Sequence, residues 1–269
     1  MKQSRKAIVT ALALSLWGPV ASEAGPFEDA AAAIKAGDYA TAIQHFRALA
    51  DQGDAVAQHN LGVLYLEGRG VPKNDAEALK WFRAAADKGY VAAQFNLAVA
   101  YYEGLGVPKD DTEALKWFRA AAEQGHPAAQ HNLGNMYVRG EGVANDDAAG
   151  ATWYRKAAER GFASSQNNLG SLYSEGRGVP VDHVEALKWY KAAAEQGHAL
   201  AQYNLGKNLE LGHGVQQNDV EALKWYILSS ARGYKSAALD RDKLAKLLKP
   251  TQTAEAEKLA HDWKPAVIK

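Results

Sequence analysis

Residues 75–86 read DAEALKWFRAAA, and close copies of this stretch recur at residues 111–122, 183–194 and 219–230. A tryptophan marks the stretch and returns at positions 81, 117, 153, 189 and 225, a constant step of 36 residues. The segments between these positions align without a gap. A fixed period of this length is typical of stacked supersecondary units, each too small to bury its own apolar face. The sequence therefore predicts a repeat protein.

This register divides the chain into five full units. They span residues 51–86, 87–122, 123–158, 159–194 and 195–230. In the first unit, apolar residues recur at helical spacing from Asp54 to Glu67, which predicts a helix A that ends at Gly68. Asn74 lies three residues before Glu77, a capping pattern that predicts the start of a helix B. The expected fold class is all-α, an α-solenoid of antiparallel helix pairs.

The third unit departs from the capping pattern at the start of its helix B. Ala149 stands where the other units carry glutamate, and Gly150 follows it. Glycine weakens a helix and alanine offers no side-chain acceptor. We expect this helix start to be the loosest of the five.

The segments on either side of the five units are predicted to be caps. Residues 25–50 align with a helix pair in which His45 takes the tryptophan position. Residues 231–269 predict two closing helices that are separated at Pro250, because proline interrupts a helix. Polar outer faces on such terminal units keep an open stack soluble.

The first 24 residues have the composition of a secretory signal peptide. Lys2, Arg5 and Lys6 precede a short apolar run, and Ser22 and Ala24 are small residues placed for cleavage after position 24. An uncleaved membrane anchor is the alternative. The chain has no cysteine, which excludes a disulfide framework and a lipid-modified cysteine. We expect an exported protein, periplasmic or secreted.

Composition and motifs exclude several function classes. Basic and acidic residues number 31 each, so bulk charge favours neither nucleic acid nor an anionic membrane as a partner. The chain lacks the motifs of serine hydrolases, zinc proteases and phosphate-binding loops. His59 and His131 lie two units apart, too far to share a metal ion. We expect no enzymatic activity, no cofactor and no metal.

Two repeated features are open to a structural or a functional interpretation. Five tryptophans at one structural position indicate a packed core more than a stacking surface for sugars or bases. Five asparagines at the position of Asn60 either line a groove or bond a loop or helix end of the adjoining unit. We favour the second alternative because buried amides need partners.

The repeated pattern resembles a known family. Its front half reads Ala-x-x-x-Leu-Gly-x-x-Tyr-x-x-Gly-x-Gly-Val and its back half Asp-x-x-x-Ala-x-x-Trp-aromatic-x-x-Ala-Ala-x-x-Gly. This unit is similar to the Sel1-like repeat, a relative of the tetratricopeptide repeat, and the resemblance covers residues 51–230. It implies a right-handed superhelix and an adaptor or scaffold function. Some cysteine-rich members have been described as binding or hydrolysing β-lactams, but this chain lacks their cysteines.

One face of helix A varies from unit to unit and is the candidate binding surface. In tetratricopeptide-like stacks helix A lines the concave side, where exposed aromatic and apolar residues suit a peptide or helix. The alternative is that the leading pair, Phe27–Ala50, folds over this face and buries it. We call the candidate residues the helix-A stripe; they are His59, Val63, Leu66, Phe95, Val99, Tyr102, His131, Asn135 and Tyr203.

Two functions remain for such a surface. The first is a scaffold or adaptor in the bacterial cell envelope that binds a partner protein or peptide. The second is a factor that binds peptidoglycan or polysaccharide, for which Tyr102, Asn135 and Tyr203 would act together.

Overall fold

The computed structural model describes residues 25–266, so the predicted signal peptide lies outside the described residues. Fourteen α-helices and no strand occupy this described part of the chain. In chain order they are α1 (Pro26–Ala36), α2 (Tyr39–Asp51), α3 (Ala55–Glu67), α4 (Asp75–Asp87), α5 (Val91–Glu103), α6 (Asp111–Glu123), α7 (Pro127–Arg139), α8 (Asp147–Glu159), α9 (Ala163–Glu175), α10 (His183–Glu195), α11 (Ala199–Leu211), α12 (Asp219–Ala231), α13 (Lys235–Leu247) and α14 (Pro250–Asp262).

Helices that follow one another in the chain pack against one another. Helix α3 packs on α4, α4 on α5 and α5 on α6, and the same holds from α8 to α13. Each predicted 36-residue unit therefore contributes one A helix and one B helix. The fold is an all-α repeat solenoid, as the 36-residue period predicts. Within residues 25–266, none of the helices combines the length and the apolar character that crossing a bilayer requires.

The described residues form two compact units. The first contains residues 25–129 with 141–143, and the second contains residues 130–140 with 144–266. In the first unit, Ala42, Phe46, Leu61 and Trp81 belong to one core cluster. The second unit has several such clusters, one of which joins Tyr190, Leu205 and Trp225. Successive repeats therefore contribute side chains to successive core clusters.

Helix B begins in the same way in every repeat. An aspartate or asparagine side chain accepts a backbone N–H from the first turn, as Asn74 does from Glu77. The third repeat (residues 123–158) follows this rule, because Asp146 accepts from the N–H of Ala149 at 2.9 Å. Its helix start therefore has the same capping geometry as the others, and its predicted looseness stays a prediction. Gly150 has a packing role, since a Cβ there would lie 2.4 Å from Cγ2 of Val138.

A glycine in each A–B loop allows the loop to approach the neighbouring repeat closely. Gly178 has φ +67°, and a Cβ on it would lie 2.2 Å from the carbonyl carbon of Asp147, at the start of the preceding helix B. Only glycine fits a left-handed conformation this close to another backbone. The Gly-x-Gly of each loop is therefore a packing device.

The C-terminal end is closed by two helices that separate at Pro250, as predicted. Trp263, which follows α14, packs edge-on against Trp225 with ring centroids 6.1 Å apart. The guanidinium of Arg232 lies 4.9 Å from the centroid of the Trp263 ring. The backbone N–H of Ala266 donates to the carbonyl of Glu195 at 2.7 Å. The last described residues thus pack back onto the preceding repeats.

Candidate functional site

Four members of the helix-A stripe are buried. His59 and Val63 are each 1% exposed, Phe95 is 5% and Val99 is 6% exposed. The expectation that the apolar part of the stripe is exposed is therefore wrong. The five remaining members are half-buried; they are Leu66, Tyr102, His131, Asn135 and Tyr203.

The following repeat, and not the leading helix pair, covers His59 and Phe95. The His59 ring lies 5.2 Å from the ring of Tyr90, the residue that precedes the next helix A. Phe95 and His126 form the equivalent stacked pair in the next repeat, with centroids 4.6 Å apart. We call this contact between helix A of one repeat and the start of the next helix A a junction. Two further junctions hold the ring pairs His131–Phe162 and Tyr203–Tyr234.

His59 is a neutral imidazole in this arrangement. Its Nε2 lies 3.0 Å from the amide nitrogen of Asn96, which donates to it, and its Nδ1 faces Oδ1 of Asn60 at 3.4 Å. Burial lowers the pKa of His59 from 6.5 to about 4. The charged form is therefore disfavoured at neutral pH.

His131 has a similar environment in the second unit. The hydroxyl of Tyr154 donates to Oδ1 of Asn135 at 2.6 Å, so the amide nitrogen of Asn135 faces Nε2 of His131 at 3.1 Å. Nδ1 of His131 lies 2.9 Å from the hydroxyl of Ser165. Burial, and secondarily the charge of Arg139, lowers the pKa of His131 to about 4. The amide of Asn135, a predicted binding residue, is thus engaged in hydrogen bonds within the protein.

The stripe changes from apolar to polar along the chain, and helix B changes with it. The residue after each repeat tryptophan is Phe82 or Phe118 in the first two repeats and tyrosine in the last three. The hydroxyl of Tyr190 bonds Ser171 at 3.2 Å, and that of Tyr226 donates to Glu210 at 2.7 Å. Ser171 is equivalent to Val63 and Glu210 is equivalent to Leu66, so in both repeats the hydroxyl occurs where helix A presents a polar side chain. Comparison of helices A and B across the repeats would have revealed this pairing from sequence.

The repeated glutamines and asparagines bond different partners, and the asparagines do not bond the loops or helix ends that the sequence predicts for them. The glutamines bond the end of the preceding helix B, as Gln58 does by donating to the carbonyl of Ala50 at 3.0 Å. Three of the asparagines, Asn96, Asn168 and Asn204, donate to helix-A side chains of the preceding repeat, and Asn204 reaches Oδ1 of Asn167 at 3.0 Å. Helix ends are thus satisfied by glutamine, and these asparagines join helix A of one repeat to helix A of the next.

The tryptophans belong to the core, and an arginine of helix B contacts the ring of the next tryptophan. Trp117 is 7% exposed. The Arg83 guanidinium lies 5.3 Å from the Trp117 ring centroid and donates to the hydroxyl of Tyr101 at 2.6 Å. Trp153 is half-buried and has the ammonium of Lys156 at 4.0 Å. The cation–π contact of Arg83 with Trp117 links consecutive repeats, whereas that of Lys156 lies within α8.

An exposed apolar surface lies in the second unit, at a place that the sequence reasoning did not identify. Six large hydrophobic side chains of the described residues are exposed, and five of them lie at or next to the connections between helices A and B. We call these five the apolar edge; they are Val181, Val184, Leu211, Val215 and Leu247. Two of these positions carry charge in the first two repeats, with Lys73 and Lys109 for Val181 and Glu67 and Glu103 for Leu211. That contrast between repeats is the sequence signal at these two positions, whereas the position of Val215 is valine in every repeat.

A small cleft lined by Leu66, Phe82, Asn96 and Leu105 holds little more than a water molecule. Across residues 25–266, no group of three or more histidine, aspartate or glutamate side chains is placed to hold a metal ion.

The fold and its junctions define an α-solenoid repeat protein. The Sel1 repeat matches residues 31–54, 55–90, 91–126, 127–162, 163–198 and 199–234. The chain belongs to the Sel1 repeat family. Proteins of this family generally mediate protein–protein interactions, and the solenoid is typically a non-catalytic scaffold.

Two solved structures show the same architecture. One is a protective antigen present in uropathogenic Escherichia coli strains, with 33% identity and a TM-score of 0.79 over 88% of this chain and 54% of its own. This chain thus spans about half the length of that antigen. The other is a Sel1 repeat protein from Oxalobacter formigenes, with 33% identity and a TM-score of 0.74 over 89% of this chain and 97% of its own. No curated protein matches the chain.

Proposed function

We propose that this chain is an exported scaffold of the bacterial cell envelope that binds a protein or peptide partner and catalyses no reaction. The observation that carries the proposal is the apolar edge. Leu211 is 51% exposed and Val184 is 65% exposed, although charged or smaller residues satisfy the fold at the same positions of other repeats. The loop that carries Val215 lies against the start of α10, because a Cβ on Gly214 would lie 2.8 Å from the backbone nitrogen of Val184. Exposed apolar side chains that group in this way mark protein interaction surfaces.

The half-buried part of the helix-A stripe is the second proposed contact surface. In the first compact unit this surface consists of Leu66 and Tyr102, and in the second it consists of His131, Asn135 and Tyr203. The four buried members of the stripe, His59, Val63, Phe95 and Val99, hold helix A in place at neutral pH.

The alternative function, binding of peptidoglycan or polysaccharide, has less support. Sugar recognition needs polar side chains that can bond a ligand. The Tyr102 hydroxyl already donates to Glu141 at 3.0 Å, and the Tyr203 hydroxyl donates to Asp240 at 2.9 Å. The Asn135 amide is bonded on both sides. These groups would have to leave their partners to bind a glycan.

Site-specific photo-crosslinking in cells tests the proposal. The photo-reactive residue is placed at Leu211, with Glu103 as the matched control because it holds the same position in an earlier repeat. A second pair is Leu66 with Lys80, which lies on an exposed face of helix B. Protein adducts at 211 or 66 that are absent at both controls are the expected result.

Two further outcomes bear on the same proposal. Equal labelling at the test and control positions would reject a specific protein surface. Binding of purified muropeptides that is lost in a Tyr102→Phe, Tyr203→Phe double variant would favour the glycan alternative. Export is tested by the intact mass of the mature protein, which we expect to begin at Gly25.

A further inference from the structure

Four consecutive junctions of the repeat array each contain one histidine. The imidazole is supplied in turn by helix A of the earlier repeat and by the residue that precedes helix A of the later one. The four are His59 opposite Tyr90, His126 opposite Phe95, His131 opposite Phe162, and His198 at the position equivalent to His126. The fifth junction, Tyr203 with Tyr234, has none.

Each of these imidazoles accepts a hydrogen bond. Nδ1 of His126 accepts the backbone N–H of Ala129 at 3.2 Å, and Nδ1 of His198 accepts that of Ala201 at 3.2 Å. Nε2 of His59 and of His131 accept from asparagine amides. All four rings therefore have a nitrogen that must remain unprotonated for this hydrogen bond to persist. The bond of His59 joins two repeats, whereas those of His126, His131 and His198 hold the ring within its own repeat.

Histidine is not required by packing at these positions. Tyr90, Phe162 and Tyr234 hold the slot of His126 and His198, and Phe95 and Tyr203 hold that of His59 and His131. Aromatic rings without a titratable nitrogen thus satisfy the same junction geometry elsewhere in the chain.

Protonation would convert each acceptor into a donor that faces another donor. For His198, which caps α11, and for His126, which precedes α7, it would also place a positive charge at a helix N-terminus, where cations are unfavourable. The titratable and charged groups that face these rings are the phenol of Tyr90 at His59 and, at His131, the phenol of Tyr154, the Arg139 guanidinium and the His198 ring. The positive charge of Arg139 and of a protonated His198 adds to the penalty at His131.

We propose that the junction histidines form an acid-sensitive switch, one per junction, whose protonation opens the contacts between repeats and exposes the buried helix-A stripe. The exposure of Phe95 and Val99 in acid would regulate the binding surface proposed above, and this part rests on the proposed function. Burial holds the pKa of all four histidines below the ordinary value, to about 4 for His59 and His131. The switch therefore operates in moderate acid, and the array stays closed at neutral pH.

The chain provides a matched pair of variants for the test. The junction variant replaces all four residues by rings that the chain itself uses there; it is His59→Phe, His126→Tyr, His131→Phe and His198→Tyr. The control variant removes the other four histidines; it is His45→Gln, His183→Gln, His213→Gln and His261→Gln. Tryptophan fluorescence of the purified protein is followed from pH 7.5 to pH 3.5.

We expect the wild type and the control variant to open at the same pH. The junction variant should open at a pH lower by about one unit or more, because only carboxylate protonation remains to drive it. Identical midpoints for all three proteins, or an equal shift in the control variant, would overturn the proposal.

A second measurement does not depend on the folding of the fourfold variant. In the wild-type protein labelled with ¹⁵N-histidine, NMR at pH 6 should show that the imidazoles of His59 and His131 are neutral and that those of His126 and His198 carry less charge than a free imidazole. Fully charged imidazoles at these four positions would also overturn the proposal. Because both measurements use the purified chain, a failed partner crosslink at neutral pH would reject the proposed function and leave the switch standing.

Discussion

At the scale of single residues, hydroxyl groups occur where a polar partner faces them. Tyr154 bonds Asn135 and Tyr226 bonds Glu210, which raises the pKa of Tyr226 through burial and through the neighbouring carboxylate. Phe82 belongs to the first repeat, where the facing stripe residue Val63 is buried and has no polar side-chain atom. A buried hydroxyl without a partner is costly, so the two positions vary together.

Phe82→Tyr should therefore destabilise the protein by about 1–3 kcal/mol, because its hydroxyl would be buried against Val63. Urea denaturation measures the change. The double variant Phe82→Tyr, Val63→Asn should recover part of the loss by restoring the pair seen at Tyr154 and Asn135. An equal or larger loss in the double variant would contradict the pairing.

Gly178→Ala should cost more stability than Gly89→Ala. Both glycines have positive φ, so both variants bear the left-handed penalty of about 1 kcal/mol. At Gly89 a Cβ meets no atom within 4 Å, whereas at Gly178 it would lie 2.2 Å from Asp147. Thermal unfolding of the two variants separates the conformational cost from the clash, and equal melting temperatures would show that the loop can move away.

At the scale of the helix, capping by the residue before helix B matters more than the glutamate three residues later. Asp146 and Asp182 accept the first-turn N–H groups in the same way, although only the second helix carries the glutamate, as Glu185. The backbone N–H groups of a first turn need an acceptor, and the aspartate side chain provides it.

Asp146→Ala and Asp182→Ala should therefore cost similar amounts, about 1 kcal/mol each. Urea midpoints of the two variants provide the comparison. A much smaller effect for Asp146→Ala would mean that the start of α8 is already frayed, as its sequence alone suggests.

The last helix pair is fixed to the array by its terminal aromatic residue. Trp263→Ala removes the edge-on contact with Trp225 and the stacking with Arg232. We expect a loss of about 2–3 kcal/mol, because the indole is half-buried and its removal leaves a cavity. Lys264→Ala, at an exposed neighbouring position, is the control and should leave the unfolding free energy unchanged.

At the scale of the whole molecule, the histidines make stability depend on pH. A histidine whose pKa is lower in the folded state stabilises the protein above pH 6.5, and this stability is lost as the pH falls towards the folded-state value. For His59 and His131 that value is about 4, so each contributes roughly 3 kcal/mol that disappears across this window.

Unfolding at pH 5.5 should accordingly be accompanied by proton uptake. Two or more protons per chain are expected from the junction histidines, because they are mostly charged in the unfolded chain and neutral in the folded one. Calorimetric unfolding enthalpies in buffers of different ionisation enthalpy measure this number. The junction variant should take up fewer protons by about the same amount, and an unchanged uptake would refute the linkage.

Much of this protein could be predicted from its amino-acid sequence alone. The 36-residue period, the loop glycines and the caps determine where helices begin and end, because these signals act within a few residues of the chain. The all-α repeat solenoid, the Sel1 repeat family and the burial of Trp81, Trp117, Trp189 and Trp225 follow from the same pattern.

Only the tertiary structure decided which faces of the helices remain exposed. His59 and Phe95 look available on an isolated helix A, but the next repeat places Tyr90 and His126 on them. The stacking of the repeats also determines the charge state of the junction imidazoles and the exposure of the apolar edge. Burial and hydrogen-bond direction depend on how neighbouring repeats stack, and that stacking is the sum of non-local contacts that no single 36-residue unit contains.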